Sequence, residues 1–563
     1  MSVFSVSSQS MLGDFITPSQ ACIKPLLAAI PGAGTPGGRL TLHSKGDVAP
    51  KEFVKITLQD CLACSGCVTT AETLLVQQQS RTELLSLRQA APDSPPRWLV
   101  VSVSDQSAAS IAVQLGCSSD RAFRLVSGFL RDTIRANAVV DLRWAQRVVI
   151  RETASELVHR LSRAAATGDR SALPLLVTAC PGWVCYCEKL HPQLLPLLSP
   201  VVSAQALCGR FLKRVLWPLW QRDARAWAAH GAQLLHVSVQ PCFDKKLEAV
   251  RSDFEQPPPV EGAGTATRDT DIVLGTQELF EWMVELRPEL GAVALAADTA
   301  SGSLPADLWD ASLDSDSLDQ PIFIGPADDL SPESRGALRG SGCWHQAAIA
   351  AMLGQVSDAP HASALAADTG GKVQYESRRN DNHRAITHPS LVDPGTKRPL
   401  TFGIGYGFQH LQNLAKSAVK RKEFCFLEVM ACPGGCLNGG AQVRHQRQTL
   451  EQQRAALERV QATYAKHESS CLSAANGDPP RREAENGNGE EPLARYFTVE
   501  AVDTWLRHAL DAADDRPGIG CKADRSAWPA GGTRGAHPLV CTAFHDRQAE
   551  MAAMDNVAHS LKW

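Results

Sequence analysis

Four cysteines set in loops of small residues constrain this chain more than any other feature of its sequence. Cys180 stands in "LLVTACPGWVCYCEK", Cys242 in "LLHVSVQPCFDKKLEAVRSD", and Cys432 with Cys436 in "EVMACPGGCLNGGAQ". The first two each follow an apolar β-like run and precede a helix-like polar stretch, which predicts a strand–loop–helix crossover. "CFLEVMA" reads as a further strand leading to Cys432. Cysteines at the carboxyl ends of strands in an α/β sheet face the crevice where such folds bind ligands. The glycines around Cys436 let backbone come close to a bulky group, so Cys432 and Cys436 read as two ligands of a buried metal cluster.

A denser set lies upstream. "QDCLACSGC" places Cys61, Cys64 and Cys67 in a C-x2-C-x2-C run, the spacing of the first three ligands of a ferredoxin-type [4Fe–4S] site. The fourth ferredoxin cysteine, the one followed by proline, is missing downstream, so the fourth ligand comes from elsewhere; Cys22 in "PSQACIKP" is the best upstream candidate. Zinc is the rival, although four-cysteine zinc sites usually pair two C-x2-C knuckles.

Size and charge narrow the class. A chain of 563 residues holds two to four packed units, and 44% hydrophobic with 21% charged residues is ordinary globular composition. A formal charge of −4 gives no electrostatic reason to expect nucleic acid or an anionic membrane as partner. No apolar run approaches the length of a spanning helix, and "MSVFSVSSQSMLGDF" has neither the basic nor the apolar part of a secretory signal. The expected location is the cytosol, where 17 cysteines are not structural disulfides.

"TACPGW", "QPCFDKKLEA", "TDIVLGTQEL", "YGFQHLQNL" and "EVMACPGGCLNGGAQ" run in the order found in iron-only hydrogenases, and "TPSQACIKPL" ahead of the cysteine triplet is closer to their eukaryotic relatives. The chain therefore resembles the cytosolic iron–sulfur cluster assembly factors of the nuclear prelamin A recognition factor-like family, over most of residues 11–442. The resemblance implies an α/β, iron-only hydrogenase-like fold: two parallel-sheet lobes around a buried cluster, a small N-terminal cluster-binding region and a helical C-terminal tail. It implies two [4Fe–4S] clusters, one on Cys22, Cys61, Cys64 and Cys67 and the other on Cys180, Cys242, Cys432 and Cys436. It further implies that clusters pass from a cytosolic scaffold to a targeting complex and recipient apoproteins, in the cytoplasm and, from the relatives' name, the nucleus. Family members end in a docking tripeptide, which here is Leu561, Lys562 and Trp563; Lys562 breaks the usual middle position.

The departures from the hydrogenase pattern bear on activity. Hydrogenases carry a proton-delivering thiol immediately before the ligand of "CPGW"; here Ala179 stands there and has no titratable group. Gln240 replaces a methionine, while Met430 is kept. Lys245 matches the lysine that in hydrogenases contacts a cyanide ligand of the di-iron unit, and otherwise reads as a solvated charge. The expectation is a protein that is not an enzyme; the alternatives are an iron-only hydrogenase or related redox enzyme with a di-iron centre, or a lamin-binding module.

Composition shifts give the organisation: residues 1–100 an N-terminal cluster region, 101–442 the two lobes, 443–471 an exposed helix, 472–492 a disordered linker, and 493–563 a helical C-terminal region. Cys185 is expected to line the cluster cleft and Cys187 to pack. Cys117, Cys208, Cys343, Cys425, Cys471, Cys521 and Cys541 read as buried or incidental thiols. "SAQ" at Ser203 to Gln205 is expected to hydrogen-bond near the cluster, and His191 and His345 stand isolated in the sequence.

Overall fold

The computed structural model describes residues 79–88, 97–218, 233–256, 267–297, 344–352, 374–377, 382–393, 396–417, 423–444, 449–473, 541–542, 544–547 and 549. Cys22, Cys61, Cys64 and Cys67, the 472–492 linker and Leu561, Lys562 and Trp563 lie outside these residues.

A four-stranded, wholly parallel sheet is built from β1 (Arg97–Val103), β2 (Ala138–Asp141), β4 (Gln233–Gln240) and β7 (Ile272–Gly275), in the order β2-β1-β4-β7. β1 shows why these residues choose a buried strand. Leu99, Val101 and Val103 face one core, while Val100 and half-buried Trp98 face the other. A strand covered on both faces needs a continuous apolar run and not a strict alternation. The run in β4 reaches Val237 and Val239, which join Leu99 and Val101 in the first core. The helix α1 (Arg81–Arg88) buries Leu84 in that same core. The first lobe therefore begins before residue 100, and the expected boundary falls inside β1.

The second sheet orders β3 (Leu175–Val177), β11 (Phe426–Met430), β10 (Pro399–Tyr406), β9 (His383–Val392) and β8 (Gln374–Ser377). β3, β11 and β10 are parallel, and β9 alone runs against them, antiparallel to both β10 and β8. The expected parallel lobe is thus a mixed sheet, because the polar-flanked run "HRAITHPSLV" returns directly into β10 without a crossover helix. The expected exposed helix is Leu450–Ser473; Val460 and Tyr464 are buried against Ala109 and Leu437, so one stripe of it docks on the first lobe. No helix among the described residues is long and apolar enough to cross a membrane.

The strands place their carboxyl ends usefully. β3 and β11 pair Val177 with Glu428, a register that brings Cys180 beside Ala431, the residue before Cys432. β4 ends at Gln240 in the other sheet, paired with Gly275. The segments bearing Cys180, Cys432 and Cys242 thus leave the ends of three parallel strands drawn from both sheets.

Candidate metal centre

Cys180, Cys242, Cys432 and Cys436 line one cleft that is partly open to solvent. Ala179, Gln205, Gln240, Lys245, Met430, Gly435 and Gly439 share its walls. Each thiol has a local reason to be there. Cys180 closes β3 and caps the helix Pro181–Leu190, with proline at the first helical position, where its missing N–H costs nothing. Thr178 Oγ1 accepts the Cys180 amide at 3.0 Å and fixes that turn. Cys432 and Cys436 bracket a loop in which Gly434 and Gly435 take φ of 78° and 72°, a conformation costly to other residues. Cys436 Sγ lies 3.9 Å from Met430 Sδ.

The lobes meet at this loop. Ala441 N–H donates to Pro241 O at 2.9 Å, next to Cys242. A Cβ on Gly439 would sit 2.1 Å from that same oxygen, so only glycine permits the approach. Gln277 N–H donates to Ala441 O at 2.8 Å, and Gln442 Nε2 donates to Gln106 O at 3.0 Å, lacing the loop to two helices of the first lobe.

The electrostatics suit a metal. Burial first, then the charges of Asp244 and Cys436, pushes the Cys180 thiol up to about 12. Burial, then Cys180 and Cys436, drives Cys432 well above the ordinary range. Such thiols stay protonated by themselves, and ionised ligation requires a cation to offset the cost. Among the described residues no three His, Cys, Asp or Glu side chains converge to hold a single ion. The four thiols instead line a cleft of mixed polar, apolar and glycine walls, and four thiol donors fit an iron–sulfur cluster.

The expected solvated charge of Lys245 is not what is found. Lys245 is buried and its Nζ donates to Glu248 Oε2 at 2.8 Å. Glu248 also accepts the Ser203 hydroxyl, and Gln205 Nε2 donates to Lys245 O at 3.1 Å. Ser203 and Gln205 therefore act on the lysine turn beside the cleft. Cys185 is absent from the lining of this cleft; it is buried, with Arg251 Nη1 at 4.0 Å. Cys187 packs in the core, as do Cys208, Cys425 and Cys541. His345 is not isolated: its Nδ1 lies 2.8 Å from buried Glu428.

The family model described as "Iron only hydrogenase large subunit, C-terminal domain" matches residues 97–440. The chain is 34% identical to "Cytosolic iron-sulfur assembly component 3" of Mus musculus over 77% of this chain and 83% of the relative. It is 32% identical to "Protein NAR1" of Arabidopsis thaliana, covering 80% and 86% of the two chains. "Cytosolic Fe-S cluster assembly factor NAR1" of Yarrowia lipolytica is likewise 32% identical, over 78% and 86%. The chain belongs to this family of hydrogenase-like cytosolic iron–sulfur assembly factors. A solved [FeFe]-hydrogenase, from work on its inactivation by oxygen, superposes with a TM-score of 0.50 at 20% identity, covering 84% of this chain and 99% of the other. That likeness is one of fold, and the fold here is the iron-only hydrogenase one.

In this assembly-factor chain, the reading of the sequence missed three cleft neighbours. Asp244 acts electrostatically on Cys180 and Cys432. Glu248 was legible as an i+3 partner of Lys245. Arg444 carried no local signal at all.

Proposed function

We propose that this protein carries two [4Fe–4S] clusters and relays clusters from a cytosolic scaffold to a targeting complex and, through it, to cytosolic and nuclear apoproteins. Cys180, Cys242, Cys432 and Cys436 hold the buried cluster; Cys22, Cys61, Cys64 and Cys67 hold the N-terminal one. The observation that carries this reading is the gathering of four thiols from three strand ends at one cleft, in a chain of the cytosolic assembly-factor family. Bound there, an iron–sulfur cluster supplies one-electron redox chemistry and a transferable inorganic unit.

The protein's own residues hold the two sides of the cleft together. Gly439 and Ala441 hold the Cys436 loop on Pro241, and Glu248 pairs with Lys245 on the cleft wall. Hydrogenase activity is not part of this proposal, since Ala179 offers no proton at the position that needs one. Leu561, Lys562 and Trp563 form the segment that docks on the targeting complex, with Trp563 as its aromatic anchor.

Iron and acid-labile sulfide on protein purified without oxygen, with electron paramagnetic resonance after reduction, test the reading. About eight of each per chain and two cubane signals support it. Iron well in excess of sulfide, with infrared bands of carbon monoxide or cyanide, would sink it in favour of a di-iron enzyme. Zinc with little sulfide would end the cluster reading.

A further inference from the structure

Three cations packed near the cleft have carboxylate partners. Lys245 meets Glu248 at 2.8 Å, Lys246 meets Glu278 at 2.7 Å, and Arg251 meets Glu188 at 2.7 Å. Arg444 is half-buried, and among the described residues its guanidinium meets neutral oxygens: Nη2 donates to Asn438 O at 3.0 Å, Asn438 Oδ1 at 3.2 Å and Gly439 O at 3.2 Å. Its backbone N–H donates to Gln277 Oε1 at 2.8 Å, which anchors the residue to the first lobe.

A guanidinium taken out of water against neutral acceptors alone is costly and needs a nearby anion. The carbonyls it holds, Asn438 O and Gly439 O, follow Cys436 by two and three residues, and a Cys432 thiolate formed on metal binding would offer it an opposite charge. Four thiolates around an iron–sulfur core would make the cleft strongly negative, and Asp244 adds to that charge. The position lies four residues beyond the end of the family match at 440.

We infer that Arg444 is a positioning residue with two linked tasks: it clamps the carbonyls after Cys436, and it is the standing counter-ion of the buried cluster. The inference rests on the reading that Cys180, Cys242, Cys432 and Cys436 hold a [4Fe–4S] cluster. A fixed positive charge stabilises the reduced, more negative cluster, so its loss lowers the reduction potential. The clamp keeps Asn438 and Gly439 in the turn that presents Cys436.

Full-length wild type, Arg444→Gln and Arg444→Lys, purified without oxygen, provide the test. Redox titration followed by electron paramagnetic resonance reads the potential, and iron release to a chelator reads retention. In R444Q one of the two cluster signals should shift to lower potential while the other stays, with several-fold faster iron loss. R444K, which keeps the charge and not the fork of donors, should restore the potential and only part of the retention. Unchanged potential and retention in R444Q overturn the inference. Equal shifts in R444Q and R444K overturn it too, because they report packing and not charge. If R444Q loses the cluster outright, R444K retaining it at the wild-type potential supports the inference, and equal loss in both overturns it. Wild type that binds no iron through the four cysteines overturns this inference together with the reading beneath it.

Discussion

Ala441 N–H donates to Pro241 O at 2.9 Å, and so the loop bearing Cys436 is bonded, backbone to backbone, to the loop bearing Cys242. Those two cysteines belong to different sheets. Gly439 makes this contact possible, since a methyl there would overlap the Pro241 carbonyl at 2.1 Å. Gly439→Ala should therefore destabilise the fold by about 2–3 kcal/mol, the range of overpacking where backbone has to move, and should release the buried iron. Gly440→Ala is the control, because its methyl would meet only Phe243 at 3.9 Å. Urea unfolding and iron content of the two variants check this; equal behaviour would refute it.

Lys245 and Glu248 are both buried, so removing one charge strands the other. Lys245→Met should cost about 3–5 kcal/mol. Adding Glu248→Gln should recover much of that, since the stranded carboxylate is then gone. A thermal or denaturant series over the two single variants and the double variant measures the coupling, and simple additivity would contradict the pairing.

The two proposed clusters should differ in lability. Cys61→Ala is expected to lose about half the iron and leave a stable fold. Cys436→Ala is expected to lose soluble protein, because metal binding in the lobe interface is coupled to folding. Iron per chain and soluble yield read both. Chelator removal of the buried cluster before the other would reverse the assignment.

His236 lies wholly buried in β4, its Nε2 2.8 Å from Ser102 Oγ. Burial holds it down to about 4 from an ordinary 6.5. Between those values the unfolded chain binds a proton that the folded one does not. The stabilisation is complete above pH 6.5 and is lost as pH falls towards 4, at roughly 1.4 kcal/mol per unit. His236→Gln should flatten that limb of a stability–pH curve; an unchanged slope would remove His236 as its source.

Local signals were sufficient for much of this protein. β3, β4 and β11 were legible because an apolar run between turn residues is a property of neighbours in the chain, and so was the place of Cys180, Cys242 and Cys432 just beyond a strand end. The antiparallel return of β9 was not legible, since a strand's direction is set by its partner and not by its own residues. Lys245 read as a solvated charge because "DKKLEA" has the pattern of an exposed turn; its burial comes from Gln205 and Ser203, some 40 positions away.

The sequence by itself determined which side chains could ligate a metal and which position lacks a proton donor, because both are matters of residue type and short-range spacing. The tertiary structure decided that Cys180, Cys242, Cys432 and Cys436 share one cleft, that Gly439 lies on Pro241, and that Arg444 sits over neutral carbonyls. The first two facts depend on closing the chain across about 200 residues or more, and Arg444 is anchored by Gln277, 167 positions away; no short window of sequence encodes such contacts.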